Sequence, residues 1–434
     1  MMTITNLFAR EILNSGATCS LLVTVLLKDG AIGKASVPFG VSAGSHEAFV
    51  LFDEDKRYAG KGMLKAVENV NTEIRSALLG KDAYDQKQID EKMIALDGAQ
   101  NKSRLGANAI LGASLAVARA AAASQKMELY EHLKTLLTTN YQLPTTNYVL
   151  PKPMIVVIEG GKHADNSTDF QEYLIVPSIN DKRGLFSVKE SVRAGAEVYL
   201  ELKNVLKERG YNTNVGNEGA YAPYGMQLNS EPWDLIMEAI ERAGYSPGKD
   251  IMLAADPAVS ELVAGTREGD LMQYQLKKEN RFLKSEELVS YFEGWLDSYP
   301  FISLEDILGE DDWDNWVFAQ ARLGGKARLI GDDLLVTNPA RLKKAIALKA
   351  CNGILIKLNQ IGTVSETLET IAIAKGAGFW TIVSHRGGGE TNDTGMIDMA
   401  VACNCQMVKV GISRGERVEK YNRLMEIEEK IAND

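Results

Sequence analysis

Short apolar runs precede longer stretches of helical periodicity in the first third of the chain. Residues 20–27 are apolar with β-branched side chains and end at the turn Lys28-Asp29-Gly30, and residues 34–38 form a second short run, so both are predicted strands. Apolar residues then recur with a helical period over residues 61–79, 83–96 and 104–137. This order of elements predicts a small α+β domain spanning residues 1–141.

Residues 142–153 contain three prolines among few helix-forming residues and form the predicted linker at the start of a second domain, residues 142–434. Beyond the linker, short apolar runs alternate with helical stretches, and six of the runs end in ionisable residues. In chain order these residues are Asp256, Glu305 with Asp306, Asp332 with Asp333, Lys357, His385 with Arg386, and Lys409.

Repeated strand–helix units of this kind predict a parallel sheet covered by helices on both faces. From Glu305 onward the units are spaced by roughly 25 residues, enough for one strand, one helix and two loops. Two further predicted strands, at residues 173–176 and 212–216, bring the total to eight and favour a closed, TIM-like β/α barrel. An open doubly wound sheet is the alternative, but no G-x-G-x-x-G motif opens a helix.

Composition narrows the class of protein further. The 434 residues are 45% hydrophobic and 24% charged, which is typical of soluble globular proteins. The formal net charge of -10 argues against a nucleic-acid partner, although a local cluster of cations could still bind an anionic substrate. Four cysteines without a C-x-x-C pair predict a reducing, cytoplasmic compartment and no structural zinc site.

Neither export nor membrane insertion is expected from the apolar segments. The N-terminal residues lack the apolar core of a secretory signal. The longest apolar stretch, residues 107–123, is interrupted by Asn108, Ser114 and Arg119. It is therefore predicted to be a buried helix and not a membrane span.

The ionisable strand ends are predicted to form one site, because the C-terminal ends of barrel strands meet at a single mouth. Asp256, Glu305 and Asp332 follow consecutive predicted strands, and three neighbouring carboxylates repel one another unless a cation binds among them. Oxygen ligands in this arrangement suit Mg²⁺. Any one of these acids could instead cap the following helix, but three at matched positions favour the metal.

The cations at the next strand ends are predicted to hold an anionic substrate against the metal. Lys357 lies in an apolar context, and Arg386 and Lys409 as neighbours would lower its pKa and suit it to act as a base. A base facing a metal-bound carboxylate can remove the adjacent proton, and the metal then stabilises the enediolate that results. A solvent-exposed lysine at a strand end is the alternative interpretation.

Loops beside these strands supply further candidates. Glu218, between Asn217 and Gly219, is a candidate general acid with Glu172 as its partner, although a solvated turn glutamate is an equally open interpretation. His163 lies in a glycine-rich loop and is a candidate on that account, although an isolated loop histidine is usually polar surface. His132, within a helical stretch, is interpreted as structural.

Several motifs together resemble those of the enolase family, whose members dehydrate 2-phosphoglycerate to phosphoenolpyruvate. The similarity runs from Ala9-Arg10-Glu11-Ile12-Leu13 to residues 423–429. Its most specific segments are NKSRLGANAILGASLAVARA from Asn101, EDDW from Glu310, GDDLLVTNP from Gly331, ILIKLNQIGT from Ile354 and SHR from Ser384. The resemblance implies a small N-terminal α+β domain packed on an enolase-type barrel whose first strands are not all parallel.

The resemblance also implies a reaction and its metal. It implies the Mg²⁺-dependent, reversible dehydration of 2-phospho-D-glycerate in glycolysis, with two Mg²⁺ per active site. Asp256, Glu305 and Asp332 would bind the first ion, and Ser42, in a mobile loop, would help to hold the second. A homodimer or homo-octamer is implied as well.

Individual roles follow from the same resemblance. Lys357 would remove the C2 proton, and Glu218, supported by Glu172, would protonate the departing C3 hydroxyl. His163 would lie on a closing loop. The substrate-binding residues would be Gln171, His385, Arg386, Lys409 and Ser42, with Arg386 on the phosphate and Lys409 on the carboxylate.

The chain departs from the family pattern around the predicted site. Asn217 stands where an aspartate is usual, Glu159 where an asparagine is usual, and Gly387 where a serine helps to bind phosphate. The loop after Arg386 is one glycine longer, and residues 14–20 and 39–43 differ as well. Two alternatives to an active enolase remain open. One is a catalytically impaired paralogue that acts as a binding or surface-displayed protein, and the other is a related enzyme for an unphosphorylated acid.

Overall fold

The computed structural model describes residues 1–40, 44–143, 147–165, 167–264 and 272–433. The N-terminal domain contains a three-stranded antiparallel sheet in the order β1-β2-β3. Its strands are β1 (Ile4–Leu13), β2 (Cys19–Leu27) and β3 (Ile32–Ser36), followed by the short β4 (Phe39–Gly40). Its helices are α1 (Leu64–Asn69), α2 (Arg75–Leu78), α3 (Gln86–Asp97), α4 (Ala107–Ser124) and α5 (Leu129–Tyr141).

Helix α4 packs against the sheet because its small side chains let the backbones approach closely. A Cβ atom on Gly33 of β3 would lie 2.0 Å from the carbonyl oxygen of Ala116. By length and composition alone α4 could cross a membrane, but 83% of its apolar window is buried inside the protein, in agreement with the predicted buried helix.

Eight strands of the C-terminal domain close into a barrel in the order β11-β12-β13-β14-β16-β5-β6-β7. Those strands are β5 (Lys152–Glu159), β6 (Glu172–Pro177), β7 (Ile251–Asp256), β11 (Phe301–Glu305), β12 (Arg328–Gly331), β13 (Gly353–Ile356), β14 (Trp380–Ser384) and β16 (Met407–Gly411). Strand β6 runs antiparallel to both β5 and β7, whereas the other neighbouring pairs are parallel. The predicted barrel and the predicted antiparallel start are both confirmed.

The remaining elements of this domain surround the barrel or extend its loops. The helices are α6 (Val188–Glu208), α7 (Glu231–Arg242), α8 (Ser285–Ser298), α9 (Trp313–Leu323), α10 (Pro339–Leu348), α11 (Leu358–Ile361), α12 (Val364–Gly376), α13 (Gly395–Ala402) and α14 (Gly415–Asn433). The short strands are β8 (Val263–Ala264), β9 (Gln273–Leu276), β10 (Arg281–Lys284) and β15 (Gly388–Gly389).

Three predictions of elements were wrong. Residues 212–216 form no barrel strand; the strand that completes the barrel is β5, which begins inside the predicted linker because Lys152 and Pro153 already pair with β16. The helical stretch over 104–137 is divided into α4 and α5. Lys409 lies in the middle of β16 and not at its end.

The two domains meet beside the barrel mouth. Residues Phe39 and Gly40 of β4 pair with Gly389 and Gly388 of β15, in the loop that follows Arg386. This pairing brings β4 beside the loop that follows β14 at the barrel mouth.

Candidate active site

A buried lysine joins three carboxylates from three neighbouring barrel strands. The Nζ atom of Lys409 lies 2.7 Å from Asp256 Oδ2, 2.7 Å from Glu305 Oε1 and 2.8 Å from Glu172 Oε2. Glu172 reaches this mouth from the first position of β6, because that strand runs in the opposite direction to β7. Burial lowers the pKa of Lys409, but Asp256 and the other acids raise it well above its ordinary value.

A second ion pair lies on the adjacent strands. Lys357 Nζ pairs with Asp332 Oδ2, while Gln360 Nε2 donates to Asp332 Oδ1 at 2.8 Å. Burial lowers the pKa of Lys357, but Asp332 raises it above its ordinary value. Arg386 and Lys409 lower the pKa of Lys357, as expected, but the ion pair with Asp332 outweighs them, because a lysine paired with a carboxylate holds its proton more tightly.

Another carboxylate, Asp306, binds the backbone that directly follows β12. Asp306 accepts hydrogen bonds from the backbone N–H groups of Asp332 at 2.9 Å and Asp333 at 2.8 Å. These three acids have oxygens within 4.8 Å of one another. Burial raises the pKa of Asp306, and Asp333 raises it further.

The residues fit a divalent cation at this end of the barrel. Among the described residues, Glu305 Oε2 is buried and accepts no hydrogen bond, although buried polar atoms are normally paired. Burial raises the pKa of Glu305, and the charge of Asp256 raises it further, so the carboxylates are in excess of the cations that neutralise them. Asp256, Glu305 and Asp332 could hold Mg²⁺ through oxygen ligands.

A histidine-and-carboxylate cluster forms the other side of the mouth. His163 Nδ1 lies 3.6 Å from Glu172 Oε1 and 3.5 Å from Glu218 Oε1, and His385 Nε2 lies 3.1 Å from Glu218 Oε2. Burial lowers the pKa of His163 to about 4 and also lowers that of His385.

The two glutamates of this cluster have opposite tendencies. Burial raises the pKa of Glu172, and the charge of Glu218 raises it further, well above its ordinary value. Burial also raises the pKa of Glu218, but His385 and His163 outweigh it and bring the pKa below its ordinary value. Two neighbouring carboxyls whose pKa values are moved in opposite directions are the pattern of an acid–base pair.

The N-terminal domain completes the rim. Arg386 Nη1 lies 2.9 Å from Glu47 Oε1, and Gln360 Nε2 donates to the same oxygen at 3.3 Å. Gln171 also lines the mouth, and its buried Oε1 atom accepts no hydrogen bond from the described residues. Ser42, predicted to hold a second ion, lies outside the described residues.

Gly387 leaves no room for a larger residue. A Cβ atom there would lie 2.6 Å from His163 Nε2 and 2.8 Å from Glu218 Oε1. His163 therefore packs against backbone at the position where the family pattern has a serine.

The structure brings the predicted site residues, apart from Ser42, to one mouth. Sequence reasoning missed Glu47 and Gln360, which contact Arg386 and Asp332, and it did not identify Asp306 as the acid beneath the metal side. The doubled acids Glu305-Asp306 and Asp332-Asp333 were a signal for Asp306, since alternate residues of a strand end face different sides. No comparable signal marked Glu47, because its partner is 339 residues away.

Comparison with known families covers nearly the whole chain. Residues 4–133 match the family model described as the enolase N-terminal domain. Residues 147–434 match the family model described as the enolase C-terminal TIM barrel domain.

Proposed function

Because the chain belongs to the enolase family, we propose that it catalyses the Mg²⁺-dependent, reversible dehydration of 2-phospho-D-glycerate to phosphoenolpyruvate. The proposal rests on the buried mouth of the barrel, where Asp256, Glu305 and Asp332 lie beside Lys357, Lys409 and Arg386. The acids suit a metal, and the cations paired with them suit a substrate with a carboxylate and a phosphate.

Lys357 is the proposed base for the C2 proton. It accepts a proton only after losing one, and its ion pair with Asp332 opposes that loss. Arg386 and Lys409 act in the opposite direction, because neighbouring positive charges lower its pKa. Mg²⁺ on the acids would stabilise the negative charge that develops on the substrate carboxylate as C2 loses its proton.

Glu218 and Glu172 are the proposed source of the proton that leaves with the C3 hydroxyl. Burial and the charge of Glu218 raise the pKa of Glu172, and Glu218 lies beside it across His163. A proton held at this pair can pass to the leaving oxygen, because general acids act best when they retain a proton at the working pH. His385 Nε2 lies 3.1 Å from Glu218 Oε2, close enough for the charges of the two groups to influence each other.

Phosphoenolpyruvate formation from 2-phosphoglycerate, followed by ultraviolet absorbance with and without Mg²⁺, tests the proposal. Mg²⁺-dependent turnover that chelator abolishes and added Mg²⁺ restores would support it. Absence of turnover at high enzyme concentration and saturating Mg²⁺ would refute it.

A second candidate is a hydro-lyase for an unphosphorylated hydroxy acid. Gly387 favours it, because no side-chain hydroxyl is available there for a phosphate. Arg386 on the same loop opposes it. The same assay with unphosphorylated 2-hydroxy acids separates the two candidates.

Compartment and assembly are proposed on other grounds. Free, buried cysteines (Cys19, Cys351, Cys403 and Cys405) support a reducing, cytoplasmic environment. A homodimer or homo-octamer is proposed from family membership, and light scattering of the purified protein tests it.

A further inference from the structure

A third glutamate lies behind the proposed acid pair. Glu159 is the last residue of β5, pairs in register with Glu172 of β6, and is 0% exposed. A buried carboxyl carries a large desolvation cost, so its retention needs a compensating contact.

That contact is the turn that carries Glu218. The backbone N–H of Glu218 donates to both oxygens of Glu159 at 3.1 Å, and the N–H of Ala220 donates to Glu159 Oε1 at 3.0 Å. These two backbone N–H groups supply hydrogen bonds to a buried carboxyl that would otherwise lack partners.

Neighbouring glycines make room for this arrangement. A Cβ atom on Gly216 would lie 2.4 Å from Glu159 Cδ, and one on Gly411 would lie 2.2 Å from the carbonyl oxygen of Glu218. The turn is therefore enclosed by Glu159 on one side and by the end of β16 on the other, which fixes where the Glu218 side chain starts.

Charge also links the two glutamates. Burial raises the pKa of Glu159, and the negative charge of Glu218 raises it further. The other charged or titratable groups that face Glu159 are Glu172, Arg417 and Tyr199. Asn217, the residue before Glu218, carries no charge, so Glu159 supplies the acidic group nearest the backbone of this turn.

We propose that Glu159 is a positioning residue for C3–O cleavage, because its carboxyl holds the turn from which Glu218 reaches the leaving hydroxyl. This role rests on the proposed dehydration. This role differs from that proposed for Lys357, which directly follows β13 and would act on C2.

The variant Glu159→Gln tests the role, because it keeps the shape of the side chain but replaces one accepting oxygen by an N–H donor that faces the Glu218 N–H. Two rates are compared in the holoenzyme with Mg²⁺: exchange of the C2 proton of 2-phosphoglycerate in deuterated water, and formation of phosphoenolpyruvate. We expect dehydration to fall at least about tenfold while C2 exchange stays within about threefold of the parent.

An NMR titration without substrate tests the same contact between Glu159 and the turn that carries Glu218. The chain has four histidines, so their ring resonances can be assigned from single variants and titrated by NMR. Burial lowers the pKa of His385, Glu218 and Glu390 raise it, and Arg417 lowers it. If Glu218 withdraws in Glu159→Gln, the midpoint of His385 falls by about half a unit or more, while that of His132 does not move.

The matched control is Asp97→Asn. Asp97 is another buried carboxylate that accepts backbone N–H groups, from Leu105 at 2.6 Å and Ala99 at 3.0 Å, but it lies at the end of α3 in the N-terminal domain. In this variant we expect the ratio of the exchange rate to the dehydration rate to equal that of the parent. The His385 midpoint should stay unchanged.

Two results would overturn the role of Glu159. One is an equal loss of exchange and dehydration in Glu159→Gln, and the other is an unshifted His385 midpoint. A parent protein that shows neither exchange nor dehydration would refute the proposed function instead, and the His385 titration would then decide the contact alone.

Discussion

At the scale of single residues, the barrel mouth separates two kinds of proton chemistry. Lys357 and Asp332 directly follow β13 and β12, whereas Glu218 and His163 lie in loops beside Glu172, the first residue of β6. These contacts have no residue in common. Removing the group that would act on C2 is therefore expected to leave the group that would act on the C3 hydroxyl in place, and the reverse.

Two substitutions test this separation. Lys357→Ala should lower both C2 exchange and dehydration by about a hundredfold to ten-thousandfold, because no other group takes the C2 proton. Glu218→Gln should lower dehydration by a similar factor while sparing exchange. Isotope exchange and phosphoenolpyruvate absorbance are measured on the same samples, and an equal loss of both rates in Glu218→Gln would contradict the assignment.

Gly387→Ser gives a less obvious expectation. The added hydroxyl could donate to a phosphate, but the Cβ atom that carries it would lie 2.6 Å from His163 Nε2. His163 would have to move away from Glu172 and Glu218, so we expect kcat to fall about tenfold or more, since small displacements of catalytic groups are costly. Steady-state kinetics with 2-phosphoglycerate check this, and a rise in kcat/KM would show that the loop accommodates serine.

At the scale of elements, the close contact between β3 and α4 depends on the absence of a side chain at one position. Gly33→Ala would place a Cβ atom 2.0 Å from the Ala116 carbonyl oxygen and 2.4 Å from the Ala120 nitrogen. Both are backbone atoms, which cannot rotate away, so the helix must move as a body.

We therefore expect Gly33→Ala to lower the free energy of unfolding by about 1–3 kcal/mol, the usual cost of overpacking. Gly376→Ala is the control, because nothing lies within 4 Å of its Cβ position at the exposed end of α12. That change should be neutral or stabilise by up to about 1 kcal/mol, since alanine favours helix. Urea unfolding compares the two, and equal effects would count against the packing argument.

At the scale of the whole molecule, several ion pairs tie the N-terminal domain to the barrel, and one of them also reaches the sheet. Arg119 of α4 binds Asp393 through both nitrogens, Nη1 to Oδ2 at 2.6 Å and Nη2 to Oδ1 at 2.7 Å. Asp393, in the loop before α13, also accepts the backbone N–H of Ser36 at 3.0 Å. Helix, sheet and barrel loop are thus joined by a single carboxylate.

Arg119→Ala should lower the free energy of unfolding by about 3 kcal/mol, because it leaves a buried carboxylate unpaired. Lys87→Ala, at an exposed pair with Glu91 at 3.9 Å, should change it by less than about 0.5 kcal/mol. Urea unfolding at pH 7 measures both, and similar effects would mean that the domain contact carries little of the stability.

The same pair sets a pH dependence. Burial raises the pKa of Asp393, but Arg119 lowers it below its ordinary value. A carboxyl whose pKa is lower when folded stabilises the protein above its unfolded pKa, about 4, and loses that contribution as the pH falls through the folded pKa. The difference between parent and Arg119→Ala should therefore shrink below pH 4, and a difference that stays constant would contradict the linkage.

Much of the fold could be predicted because the spacing of apolar residues along the chain reflects the local secondary structure. Short apolar runs precede Asp256, Glu305, Asp332 and Lys357, and such runs are typical of strands in a sheet that is buried on both faces. Strand β5 was missed because its prolines are typical of a linker, yet Lys152 and Pro153 pair with β16 at the barrel seam. Pairing partners far apart in sequence, unlike periodicity, leave no local trace.

The sequence by itself determined the barrel, the smaller domain, and the set of acids and cations at the strand ends, because burial of an apolar face imposes a period on the chain. Tertiary structure alone decided which charges meet. It placed Lys409 among three carboxylates, Glu159 under the Glu218 turn, and Glu47 on Arg386. Those contacts depend on distances across the barrel, and electrostatic energies change steeply with distance and burial.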